Sequence, residues 1–116
     1  MSMNVDETCI FCRIVSGELE CDRLYEDDAV LAFRDIQPKA PVHGLIIPKR
    51  HVATLDHFDD DDAQLLGRLM LVAREIAAAH RLEGYRVAMN VNRLGGQVVF
   101  HAHLHLLGGR QMSGLG

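Results

Sequence analysis

A chain of 116 residues, 48% hydrophobic and 24% charged, fits one globular domain that can build a core without covalent staples. Its net charge of -4, with Lys and Arg scattered, excludes a broad nucleic-acid face, which needs a basic stripe, but leaves room for a small anionic ligand. No apolar run approaches the ~20 residues needed to span a bilayer. Residues 1–8 are polar and acidic, unlike a signal peptide, and are expected to be a flexible N-terminus. The three cysteines are an odd number, and the cytoplasm is the simplest compartment; there a Cys-x-x-Cys pair more often binds metal or does redox chemistry than forms a structural disulfide.

In chain order, Ile10, Phe11, Ile14 and Val15 fall at helical spacing with Gly17 as a stop, which predicts a short helix over residues 10–16. Arg23 to Glu26 and Val30 to Arg34 read as two strands joined by a turn at Asp27-Asp28. Pro38 and Pro41 mark a loop, and His43 to Pro48 reads as a buried strand. Asp59 to Asp62 supply caps and negative charge for a long helix whose apolar stripe runs Leu65, Leu66, Leu69, Met70, Val72, Ala73, Ile76 and Ala77. That helix is expected to end near Leu82, before Gly84. Tyr85 to Val91 reads as a fourth strand, Asn92 to Gln97 as a turn, and Val98 to Leu107 as a fifth strand. Short connections favour an α+β fold: a five-stranded antiparallel sheet with one long and one short helix.

Three of the seven histidines stand at His101, His103 and His105. On a strand the period of two turns all three imidazoles to one face, about 7 Å apart, and Ala102, Leu104 and Leu106 to the other. Surface histidines on an amphipathic strand would look the same, although three in five positions argue against chance. Two chemical readings stay open. Alternating histidines can chelate zinc; alternatively one neutral imidazole, abundant at pH 7, attacks phosphorus and forms a covalent phospho-histidine while the others assist. The preceding turn, Asn92-Arg93-Leu94-Gly95-Gly96-Gln97, would be an ordinary hairpin loop in isolation; beside the histidines its glycines can bring backbone N–H groups close to a phosphate. Cys9-Ile10-Phe11-Cys12 can supply two ligands to a tetrahedral zinc, with buried cysteines or a redox pair as alternatives; no thioredoxin-like βαβ pattern surrounds it.

His101-Ala102-His103-Leu104-His105-Leu106-Leu107 resembles the histidine-triad (HIT) pattern. The stretches Phe33 to His43, Leu45 to Lys49 and Leu107 to Met112 resemble the Hint branch of that superfamily, and the likeness runs from Cys9 onward. The resemblance implies a purine nucleoside phosphoramidase that cleaves a P–N bond through a nucleotidyl-histidine and releases AMP, acting as a homodimer with the sheet extended across subunits. It implies His103 as nucleophile, His105 as the proton-transferring partner, and His43 as a supporting relay. It implies Asp35 at the ribose hydroxyls and Phe11, Ile14, Phe33, Arg34 and Ile36 around the base. Asn90, Gly96, Gln97 and the Val98 backbone fall on the phosphate side. It also implies a structural Zn²⁺ held by Cys9, Cys12, His51 and His101. Core packing alone would explain the apolar wall residues equally well, and Asp35 can equally be a turn former.

The chain departs from that pattern at Val98, where Hint proteins commonly carry a serine; losing one hydroxyl donor to the phosphate can cost on the order of 10²-fold in rate. The tail Ser113-Gly114-Leu115-Gly116 also lacks a bulky aromatic residue carried by some relatives. Other readings are a dinucleoside polyphosphate hydrolase or nucleotidyl transferase of the same superfamily, a nucleotide-binding module with little catalysis, and a structural zinc protein in which His103 binds metal. Cys21, His57 and His80 carry no expected role.

Overall fold

The structure is a computed structural model that describes residue 6 and residues 8–115. Most of the expected flexible N-terminus, residues 1–8, therefore lies outside the described residues. The first helix, α1 (Ile10–Val15), starts where the Cys9 side chain accepts the Cys12 N–H, and it stops where Gly17 takes a φ of +86°. Strands β1 (Arg23–Glu26) and β2 (Val30–Arg34) follow, and the Asp27 carboxylate closes their turn by accepting the Ala29 and Val30 N–H groups, each at 2.8 Å. After β3 (Val42–Pro48) comes the long helix α2 (Ala63–Ala79), then β4 (Tyr85–Ala88) and β5 (Leu104–Gly108).

The five strands form one antiparallel sheet in the order β1-β2-β3-β5-β4. Strand alternation sorts the core into two layers. Val30, Ala32, Ile46, Leu104 and Leu106 pack against Leu69, Val72, Ala73, Ile76 and Ala77 of α2. Leu31, Phe33, Leu45 and Ile47 face the other way, against Phe11 and Ile14 of α1. No helix among the described residues is long and apolar enough to cross a membrane.

Three boundaries differ from the sequence reading by more than one residue. Helix α2 stops at Ala79, not Leu82: Arg81 adopts φ +56°, and the Leu82 N–H reaches back to the Ala77 carbonyl at 3.0 Å while its side chain joins the core. This closure is of the Schellman kind with arginine where glycine is usual. Strand β4 ends at Ala88 and not Val91, because its register partner at that point, His105, is nearly the first residue of β5. Strand β5 begins at Leu104, not Val98. Residues 98–103 have no sheet partner; Ala102 N–H instead donates to the Val52 carbonyl at 2.7 Å.

Leu106 is fully buried between β3, β4 and α2. Leu106→Ala should cost about 3 kcal/mol, read as a lower urea midpoint with an unchanged slope. An unchanged midpoint would contradict this packing.

Candidate active site and metal centre

Of the three clustered histidines only His105 lies on a strand, yet the alternation survives through the unpaired residues before it. Phe11 of α1 meets the rings of His101 and His103 edge-on, with centroids 5.9 and 5.2 Å away, and also meets Phe33 at 5.5 Å. The rings of His103 and His105 lie 4.9 Å apart. All three imidazoles thus occupy the α1 side, while Leu104 and Leu106 serve the α2-side core. They are not a solvent-facing ladder: His101 is 0% and His103 7% exposed.

Backbone groups fix the tautomers. The His103 Nδ1 lies 2.7 Å from the His101 carbonyl, which can only accept, so Nδ1 carries the proton and Nε2 a lone pair. The Lys39 N–H donates to His43 Nδ1 at 3.0 Å, so His43 carries its proton on Nε2 and donates it to His105 Nδ1 at 2.9 Å. The remaining nitrogen of His105, Nε2, is then a donor. Burial holds the conjugate acids of His43 and His103 below the ordinary histidine range, and it pushes His105 down to about 4, helped by the neighbouring His103 and His43. At neutral pH the rings are uncharged.

Asp35 approaches the same pair. Its Oδ1 accepts the Gln37 N–H at 2.9 Å, as a turn former would, while Oδ2 lies 3.4 Å from His43 Nε2. Asp35, His43 and His105 bring potential ligand atoms together, but the His43–His105 separation is that of a hydrogen bond and His43 Nε2 is protonated. The trio is linked donor to acceptor rather than arranged as a chelate.

The second cluster has the opposite character. Cys9 Sγ lies 3.3 Å and Cys12 Sγ 3.5 Å from His101 Nδ1; Cys12 Sγ and His101 Nδ1 each lie 3.3 Å from His51 Nδ1. A tetrahedral zinc with ordinary bond lengths has S–N edges of about 3.5 Å and N–N edges of about 3.3 Å, so the four donors fit the ion. His101 Nε2 is 2.7 Å from the Pro48 carbonyl, which fixes the proton there and leaves Nδ1 bare towards the cluster. The Asp6 and Cys12 N–H groups point at the sulfurs of Cys12 and Cys9, both at 3.4 Å. Burial pushes the Cys12 thiol up to about 11, a cost that a bound cation would remove.

The turn before the histidines is a 3₁₀ turn over Arg93–Gly95, closed by Gly96 at φ +90°. The Asn90 carboxamide lies against Gly96, where an added Cβ would stand 3.8 Å from it. Gly95, Gly96 and Gln97 spend their N–H groups inside the turn, on the carbonyls of Asn92 and Arg93. The Val98 N–H has no acceptor among the described residues, and Val98 itself is 86% exposed.

The residues expected around the nucleotide do not all lie together. Phe11, Ile14 and Phe33 come together beside His103, but Arg34 does not: it follows Phe33 on β2, so its side chain takes the opposite face, where it pairs with Asp22 at 2.9 Å and approaches His80. Ile36 is 92% exposed and packs on none of them. The Gln97 side chain is buried, with its amide engaged in the loop. Conversely, the tautomer-setting groups, Lys39 N–H and the carbonyls of Pro48 and His101, went unread because backbone partners leave no trace in residue type.

The HIT domain family matches residues 16–112, and the chain belongs to that family. A purine nucleoside phosphoramidase of Escherichia coli K12 is 47% identical over 108 residues, 91% of each chain. Among solved structures, a HIT family hydrolase of Legionella pneumophila Philadelphia 1 is 52% identical with a TM-score of 0.89, covering 90% of this chain and 96% of that one. A zinc-bound histidine triad family protein of Mycobacterium smegmatis is 35% identical with a TM-score of 0.81, covering 89% and 76% respectively.

His101 and His105 each fall from 6.5 to about 4 on folding, His101 mainly through burial. Above 6.5 both rings are neutral, folded or not; as the pH falls towards 4 the unfolded chain takes up protons that the fold refuses, and stability is lost. The metal-free protein should therefore show a lower urea midpoint at about pH 5 than at about pH 7, and equal midpoints would contradict the burial of these rings.

Proposed function

We propose that this chain hydrolyses the P–N bond of purine nucleoside 5′-monophosphoramidates through a nucleotidyl-histidine at His103, releasing AMP. The observation that carries the reading is the His103 ring, locked by its Nδ1–H on the His101 carbonyl with a neutral Nε2 free beside His105. The E. coli phosphoramidase, alike over nearly the whole chain, supports the same chemistry. Phe11, Ile14 and Phe33 form the apolar wall for the base, Asp35 Oδ2 meets the ribose hydroxyls, and the Asn90 carboxamide and the Val98 N–H receive the phosphate, with Gly96 leaving room for it beside Asn90.

In the first step His103 Nε2 bonds to phosphorus as the P–N bond breaks. The amine leaves with a proton delivered through His105 Nε2 and made up from solvent, so that neither His105 nor His43 becomes an imidazolate and the phosphorylated His103 ring carries the positive charge. Water then attacks phosphorus, its released proton passes to solvent, and the P–Nε2 bond breaks to restore the neutral His103 ring.

We also propose that Cys9, Cys12, His51 and His101 hold one structural Zn²⁺, which would tie α1 to the segments after β3 and before β5 and take no part in the chemistry. The unpaired outer edge of β4, with exposed Tyr85 and Leu115 nearby, supports a homodimer that continues the sheet. The free thiols of Cys9, Cys12 and Cys21 suit the reducing cytoplasm. A second reading, nucleotide binding with little turnover, is favoured by Val98, which offers the phosphate no hydroxyl.

With a fluorogenic adenosine phosphoramidate, His103→Ala should lower kcat/KM at least about 10³-fold, and a base-quenched wild-type reaction should carry an AMP adduct on His103. Equal turnover in the variant would reject the mechanism; tight AMP binding by a wild type that cleaves nothing would select the second reading. Metal analysis should find one zinc per chain, lost in Cys12→Ala and kept in His103→Ala; loss in His103→Ala would make that residue a ligand and remove the nucleophile.

A further inference from the structure

We infer that Gln97, together with Asn92 and Asp56, positions the phosphate-side turn relative to His103, acting on substrate only through the backbone it holds. The inference rests on the phosphoramidase reading. Gln97 is 3% exposed beneath a loop whose residues 92–96 and 98 are exposed. Its Oε1 accepts the Asn92 N–H at 2.9 Å, and its Nε2 donates to the Ala53 carbonyl at 2.7 Å and the Val99 carbonyl at 3.0 Å. Both amide hydrogens are therefore occupied, and none is left to meet a ligand.

Asn92 shows why such a clasp is needed. It sits at φ +62°, ψ +171°, a conformation that is nearly reserved for glycine and persists in other residues only when the surroundings impose it. Gln97 holds Asn92 from inside, and Asp56 holds it from outside, accepting from Asn92 Nδ2 at 2.8 Å. The Asn92 carbonyl in turn takes the N–H groups of Gly95 at 3.0 Å and Gln97 at 3.1 Å, which shapes the turn. With Gln97 and Val99 both tied to one amide, Val98 between them is left facing solvent with its N–H unspent.

The clasp also sets distance. Ala53, held by Gln97, follows Val52, whose carbonyl takes the Ala102 N–H at 2.7 Å, between His101 and His103. Residues 52–53 thus bind the turn on one side and the histidine segment on the other. A phosphate held by the turn is thereby set at a defined separation from His103 Nε2, and misplacement by about 1 Å can cost about 10²-fold in rate.

The test uses the full chain, with AMP as calorimetric probe and an adenosine phosphoramidate as substrate. Gln97→Met, which keeps the side chain's length and removes its hydrogen bonds, should weaken AMP binding about tenfold and lower kcat/KM about 10²-fold. Adding Asn92→Gly should recover at least about threefold of the lost affinity, because glycine takes the backbone conformation without the clasp. Asp56→Ala, at the exposed outer bond, should weaken AMP about two- to fivefold. A merely structural Gln97 would lower Tm but leave the folded protein's AMP affinity and kcat/KM within about twofold of wild type, with no rescue by glycine; that result overturns the inference. If Gln97→Met does not fold, unchanged AMP affinity in Asp56→Ala overturns it instead. A wild type that binds AMP without cleaving the substrate defeats the phosphoramidase reading alone, and one that binds no AMP defeats both.

Discussion

His101 is the residue on which the site depends, because its two ring nitrogens and its carbonyl are each committed in a different direction. The Nε2–H is given to the Pro48 carbonyl at the end of β3. That leaves Nδ1 bare among Cys9, Cys12 and His51. The carbonyl meanwhile receives the Nδ1–H of His103, so the ring that stands in the sulfur cluster also fixes the tautomer of its neighbour two residues on. With no exposed surface, His101 has no water to fall back on, and each of these bonds must be made within the protein. The Cys/His cluster and the His103 ring are therefore held by one residue while remaining chemically separate.

The two histidine groupings on this face each contain two imidazoles and differ in their other members and in proton placement. In the cluster of Cys9, Cys12, His51 and His101, donor separations match the edges of a coordination tetrahedron, and the His101 proton is drawn away to a carbonyl. In the grouping of Asp35, His43 and His105, a backbone N–H occupies His43 Nδ1 and forces its proton onto Nε2, between the partners. One arrangement concentrates lone pairs on a point; the other strings donor to acceptor along a line. The backbone group that each histidine's other ring nitrogen meets sets this difference in proton placement.

Much of the fold was legible because local chemistry and burial agreed. Strands β1 and β2 match their sequence limits because Asp27 is both the turn residue and the acceptor that closes it. The core of α2 follows from its apolar stripe. The reading failed where a pattern survives without its usual structure: His-x-His-x-His alternates like a strand, but residues 98–103 have no sheet partner, and Arg81 takes a left-handed cap that glycine would have announced. In the site, the clustered histidines and the Cys-x-x-Cys pair were visible as residue types. Residue type did not reveal that Arg34 takes the face of β2 opposite Phe33, where it pairs with Asp22, or that the Gln97 amide is engaged within its own loop.

Burial finally explains why the hydrogen-bonded chain has a direction. A neutral imidazole offers one donor and one acceptor, so Lys39 N–H, His43 and His105 align head to tail with the last N–H of His105 unspent. An imidazolium carries N–H on both sides, and charging His105 would turn a proton on its Nδ1 against the proton on His43 Nε2. Desolvation penalises that charged state, and the depressed affinity of these rings for protons keeps the chain intact at neutral pH. The same burial that makes the fold sensitive to acid thus gives His103 its lone pair and His105 its donor, and a more solvated triad would gain acid tolerance while losing the order in which its protons are held.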